Sequence, residues 1–116
     1  MKYLLLMSWD AENQNTADEP PPSETAEEES FPWLDDLRAS GRWITGDRLT
    51  APAKARTVRR RDQKITVTDG PFVETKEAIG GFDIIEADSL DDAIKIASEH
   101  PVAALGAVEV RALWGQ

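Results

Sequence analysis

The sequence predicts an α+β chain in which two helices cover one face of an antiparallel sheet. Three observations lead there. Strand-like and helix-like segments follow one another in the order β-α-β-β-β-α-β. Each helical segment carries one apolar stripe, so each can pack on one side only. Two strand segments, "YLLLM" at residues 3–7 and "FDIIEA" at residues 82–87, are apolar on both faces, which calls for cover on both sides. Two helices cover one face. A second copy of the same sheet is the economical cover for the other.

The bounds agree with a modest fold. A chain of 116 residues with 41% hydrophobic residues makes one domain over 1–116 with one small core. A net charge of −9 argues against nucleic acid and against anionic membranes as partners. With no cysteine and a single histidine, His100, disulfides, thiolate chemistry and a histidine-rich metal site are excluded. No nucleotide-binding loop is legible and no cofactor or metal is implied. The apolar run near the start is too short for a signal segment or a membrane span, so a cytoplasmic location is the expectation.

The elements can be justified in order. "KYLLLMSW", residues 2–9, is a first strand. The acidic, proline-containing stretch that follows predicts a mobile surface loop over residues 11–22, since its composition cannot offset the entropy of ordering. A helix then runs to about Ser40, with Phe31, Leu34 and Leu37 as its stripe and Gly41 as its stop. Its start is open between Ser23 as cap and Ser30 with Pro32 in the first turn. "RWITGDRLT" is a short strand broken at Gly46. Residues 56–61 and 64–68 form a hairpin turning at Asp62-Gln63, its second arm alternating Ile65 and Val67 with threonines as a half-buried strand does. The hairpin region is the basic part of an acidic chain. It is either a solvated face answering acids elsewhere or a surface for a small anionic ligand.

"GGFDIIEA" is the next strand. Ser89 caps the clearest helix, with Asp91 and Asp92 in its first turn and Leu90, Ala93, Ile94 and Ala97 as its apolar positions, and Pro101 ends it. In the last strand Val108, Val110, Ala112 and Trp114 share one face. Without the extra hairpin arm this order is the split βαβ of a ferredoxin-like fold.

The densest stretch is "TDGPFVETKEAIGGFDIIEA", residues 68–87. Together with "MKYLLLM", "GDRLTAPAKARTVR", "DDAIKIA" and "VEVRALW" it resembles the DGPF branch of the YCII-related family over nearly the whole chain outside residues 11–30. The resemblance implies a ferredoxin-like protomer that pairs sheet to sheet into a dimeric α+β barrel. It further implies a small-molecule-binding protein or small enzyme, with a regulatory link to alternative sigma factors suspected for the branch. A better-described branch carries a histidine on the first helix and an aspartate just before the proline that ends the second. Here the first helix has no histidine and His100 stands where that aspartate would be, so the dyad does not carry over. His100 reads instead as a helix C-terminal residue, where a cation suits the dipole.

The loop can be read chemically as well. Asp69 before Gly70-Pro71 suits a turn that its own carboxylate caps. Gly80 and Gly81 suit a close backbone approach or a bulge. Glu74, Lys76 and Glu77 are not needed to close a turn, and acids beside an ammonium are the material of acid/base chemistry, of a solvated loop, or of a contact network. They are the candidate catalytic residues; Asp69, Arg59 and Lys76 are the candidate ligand-binding residues. Two functions follow. One is a small-molecule enzyme or binder with a cleft beside this loop. The other is a non-catalytic interaction module docking on a protein such as a transcription factor.

Overall fold

A computed structural model of the chain describes residues 1–18 and 30–115. The expected start at Ser23 and the proline run of residues 20–22 lie outside the described residues.

Four strands form the main sheet: β1 (Lys2–Asp10), β2 (Trp43–Arg48), β5 (Glu77–Glu86) and β6 (Ala107–Ala112). Their order is β2-β5-β1-β6, every neighbour antiparallel. A two-stranded hairpin, β3 (Arg56–Arg61) with β4 (Lys64–Asp69), stands as a separate sheet. The helices are α1 (Ala11–Thr16), α2 (Pro32–Ala39) and α3 (Leu90–Ser98). The mixed α+β architecture with an antiparallel sheet is that of a ferredoxin-like fold, with one helix more than the sequence suggests.

The core lies on one side of the sheet. Tyr3, Leu5 and Met7 alternate into it from β1, and Ile85 joins them from β5. Trp33, Leu34 and Leu37 of α2 and Ala93, Ile96 and Ala97 of α3 complete it. Trp33 donates its indole N–H to the Ile96 carbonyl at 2.8 Å, which ties the two helices together. Leu90 and Ile94 of the expected stripe stay half exposed, with Ile96 packed inward in their place. On the other side of the sheet Leu4, Leu6, Phe82 and Ile84 are covered only in part.

Local chemistry sets the ends. Pro32 occupies the first turn of α2, where its missing N–H costs nothing, as the second alternative expected, but the N-cap is Phe31 rather than Ser30. Ser30 donates its hydroxyl to both oxygens of Asp35. The helix closes in a Schellman motif, with the Arg42 N–H on the Leu37 carbonyl and the Gly41 N–H on the Arg38 carbonyl. Ser89 caps α3 by accepting from the Asp92 N–H. The hairpin turns at Asp62 and Gln63 with φ of 50° and 64°, both positive as a type I′ turn requires.

Three expectations need correction. Residues 11–16 are not loop: they form α1. Asp10 caps it, accepting from the Asn13 N–H at 2.9 Å, and Gln14 is 8% exposed. The Gln14 amide donates to the carbonyls of Trp9 and Ala78, and Asn15 accepts the Ala53 N–H. Hydrogen bonds to distant backbone, rather than apolar burial, hold this polar segment. Second, Gly46 does not break β2; the strand runs through it, opposite Asp83. Third, β4 is exposed along its whole length, since no element of the described chain packs on its apolar positions.

Candidate functional site

The Asp69-Gly70-Pro71-Phe72 loop connects β4 to β5. Gly70, at φ +90°, gives its N–H to the Ala55 carbonyl and receives the Thr57 hydroxyl on its own carbonyl. These bonds close the turn without the Asp69 carboxylate, contrary to the expected cap. The hairpin register places Asp69 opposite Arg56, and the two pair at 3.2 Å with the Asp69 side chain 89% exposed. Arg59 lies over the Phe72 ring at 5.1 Å from its centroid. Farther along, Thr75 donates to the Glu77 carbonyl, and the Lys76 carbonyl accepts the Ala11 N–H from α1.

Glu74, Lys76 and Glu77 are exposed, and their charged groups make no ion pair with one another among the described residues. Beside the loop a concavity of about 830 Å³ opens on the partly covered sheet face, walled by Leu4, Leu6, Phe82, Pro71, Phe72 and Glu77 among others. Of the five residues singled out in the sequence, Glu77 lines it; Arg59, Asp69, Glu74 and Lys76 do not.

A second cleft, of about 480 Å³, lies on the helix side. Trp9, Phe31 and Trp43 give it aromatic walls, and Arg48, Asp83 and His100 give it polar ones. Asp83 points into the core side of β5 and is only 8% exposed. Its Oδ1 accepts the Trp43 indole N–H at 2.8 Å. A buried carboxylate needs such donors, because desolvation alone would favour its neutral form. Gly46 makes room for it: a Cβ there would lie 2.2 Å from Asp83 Oδ1 and 2.6 Å from the Phe82 carbonyl oxygen.

Two further features shape this cleft. Between Met7 and Ser8 the β1–β5 register slips by one residue, leaving Gly80 as a bulge. A Cβ on Gly80 would meet the Trp9 ring at 2.3 Å, so the bulge seats Trp9 in the wall. His100 does follow the end of α3, its backbone N–H on the Ala97 carbonyl at 3.1 Å. It also caps the 3-10 turn Pro101–Ala104, its Nδ1 accepting the Val102 N–H at 3.0 Å. Its ring sits edge-on to Trp33 and Phe31, at 4.6 and 5.7 Å between centroids.

This cleft thus brings aromatic side chains together with a buried carboxylate, an imidazole and a guanidinium. The sequence carried one signal of it: Asp83 inside the apolar run "FDIIEA" is a carboxylate at a buried-strand position. Among the described residues no group of side chains could hold a metal ion, and no helix is long and apolar enough to cross a membrane.

Comparison with known proteins points the same way as the architecture. An uncharacterised protein of Rhizobium meliloti (strain 1021) is 41% identical over 68 residues, 57% of this chain and 55% of that protein. The chain therefore spans about half the length of the curated relative it matches. The family described as the YCII-related domain matches residues 1–115, and the chain belongs to that family.

Proposed function

We propose that this YCII-related protein, of the DGPF branch, is a small-molecule-binding protein or small enzyme whose ligand enters the cleft walled by Trp9, Phe31 and Trp43. The observation that carries this reading is the convergence of a buried carboxylate, Asp83, and an imidazole, His100, on an aromatic slot of about 480 Å³. That volume suits a ligand of one or two rings. Asp83 and His100 orient or exchange protons with its polar group, and the aromatic walls bind its flat body. In this reading the loop charges Glu74, Lys76 and Glu77, with Arg59 and Asp69, lie outside this cleft and form a separate exposed cluster open to a small anionic ligand.

The protein works as a homodimer in the cytoplasm, formed by packing the uncovered sheet faces together. The partly covered Leu4, Leu6, Phe82 and Ile84 support that pairing. The alternative, a non-catalytic module that docks on a transcription factor such as an alternative sigma factor, uses the same sheet face. The exposed Phe72, Val73 and Ile79 beside it favour that alternative.

A thermal-shift screen of aromatic acids, phenols and small phosphates separates the readings. A compound that raises the melting point of the wild type should lose its effect on His100→Ala and keep it on Lys76→Ala. The reverse pattern would move the ligand to the DGPF loop. No hit in the library, with a stable complex formed on a sigma factor, would favour the interaction module.

A further inference from the structure

Among the described residues nothing packs on one face of the β3–β4 hairpin. Its register sets Val58 opposite Val67 and Arg60 opposite Ile65, so these four share a face. Val58 is 64% exposed, and Ile65 and Val67 are each 59% exposed. The opposite face is tacked down: Thr57 bonds the Gly70 carbonyl and Arg59 covers Phe72. A two-stranded ribbon is marginally stable by itself in water, and β-branched residues aligned on one face are a packing surface. The ribbon is also the cationic part of the molecule. Residues 54–64 carry six basic side chains against Asp62, so the remainder of the chain holds more than the whole net charge of −9.

We infer that the hairpin is an arm that lays its Val58–Ile65–Val67 face on a second copy of this chain. The inference rests on the homodimer reading above and goes beyond its sheet-to-sheet contact. Two observations select a second copy as the occupant. The charges are complementary, since a basic arm meets an acidic body, and a two-fold axis makes that contact twice. The arm also borders the uncovered sheet face through its other side, because Phe72, on which Arg59 lies, is itself a wall of the concavity on that face.

The test is sedimentation equilibrium of the full chain at micromolar concentration, with circular dichroism to confirm folding. Compared are the wild type, Val58→Asp/Val67→Asp, the gentler Val58→Thr/Val67→Thr in case the first fails to fold, and Leu6→Glu on the sheet face. The inference expects a wild-type dimer whose dissociation constant rises by at least about tenfold when the hairpin valines are replaced, and rises further with salt. A dimer weakened by Leu6→Glu but untouched by both hairpin variants would overturn the arm and leave the sheet pairing standing. A dimer weakened by the hairpin variants and untouched by Leu6→Glu would support the arm and overturn the sheet pairing. A wild-type monomer would overturn both.

Discussion

Replacing Gly46 by alanine gives the sharpest view of how the fold serves the cleft. Intrinsic preference points to a gain, since glycine inside a strand is worse than alanine by roughly 0.5–1 kcal/mol. The structure points to a loss. The new Cβ would fall 2.2 Å from Asp83 Oδ1 and 2.6 Å from the Phe82 carbonyl oxygen. The carboxylate is a side chain and can turn aside, but doing so breaks its 2.8 Å hydrogen bond from Trp43. The carbonyl is backbone of the adjacent strand and can retreat only if β2 and β5 separate at the Gly46–Asp83 pair. Overpacking of this kind costs about 1–3 kcal/mol. A hydrogen bond to a charged group adds about 1.5–3 kcal/mol. Net of the propensity gain, Gly46→Ala should destabilise by about 1.5–5.5 kcal/mol. Urea unfolding followed by tryptophan fluorescence measures this, with Trp43→Phe as the companion variant. Trp43→Phe removes the same hydrogen bond without the clash, so the double mutant should cost less than the sum of the two. A Gly46→Ala protein as stable as the wild type would refute the reasoning, because it would mean that Asp83 does not lie beneath β2.

Three other outcomes are expected. Gln14→Ala should cost about 1–2 kcal/mol in the same unfolding experiment, because two backbone carbonyls lose their donor; a silent mutation would return residues 11–16 to loop. Asp69→Ala should cost under about 1 kcal/mol, the worth of an exposed ion pair, since backbone and Thr57 close the turn without it. The amino terminus bonds Glu86 at 2.8 Å, and that hydrogen bond first, then the cation's charge, lowers the carboxyl pKa from its ordinary 4.5. A depressed carboxyl adds stability that is present above its unfolded pKa and fades as pH falls through the folded one. Glu86→Gln or N-acetylation should therefore flatten part of the stability loss below pH 4.5, read from melting curves across that range.

The frame of this fold was legible because it rests on local signals. The continuous apolar run of β1, the Ser89 cap with acids behind it, and a hairpin with clear strand arms all act within a few residues. What escaped depends on groups brought together from far apart. α1 has no apolar stripe to betray it, and its anchors reach Ala78 and Ala53 through space. Pro32 obscured α2, yet it sits where a proline helps rather than harms. Asp69 was assigned to its own turn because sequence neighbours are what a sequence displays; its partner Arg56 is set by cross-strand register. The cleft draws Trp9, Phe31, Trp43, Asp83 and His100 from separate segments, and only the packing of α2 and the His100 turn over the sheet assembles it.

The indole N–H resonances of the four tryptophans offer the most direct measurement of whether that cleft takes the ligand. Trp9 and Trp43 wall the slot, while Trp114 is fully exposed beyond β6 and serves as an internal reference. Titration with the best aromatic acid or phenol from the screen should move the Trp9 and Trp43 signals and leave Trp114 in place. Unmoved Trp9 and Trp43 signals, with shifts confined to the backbone amides of Phe72 to Glu77, would contradict the account and place the ligand on the loop.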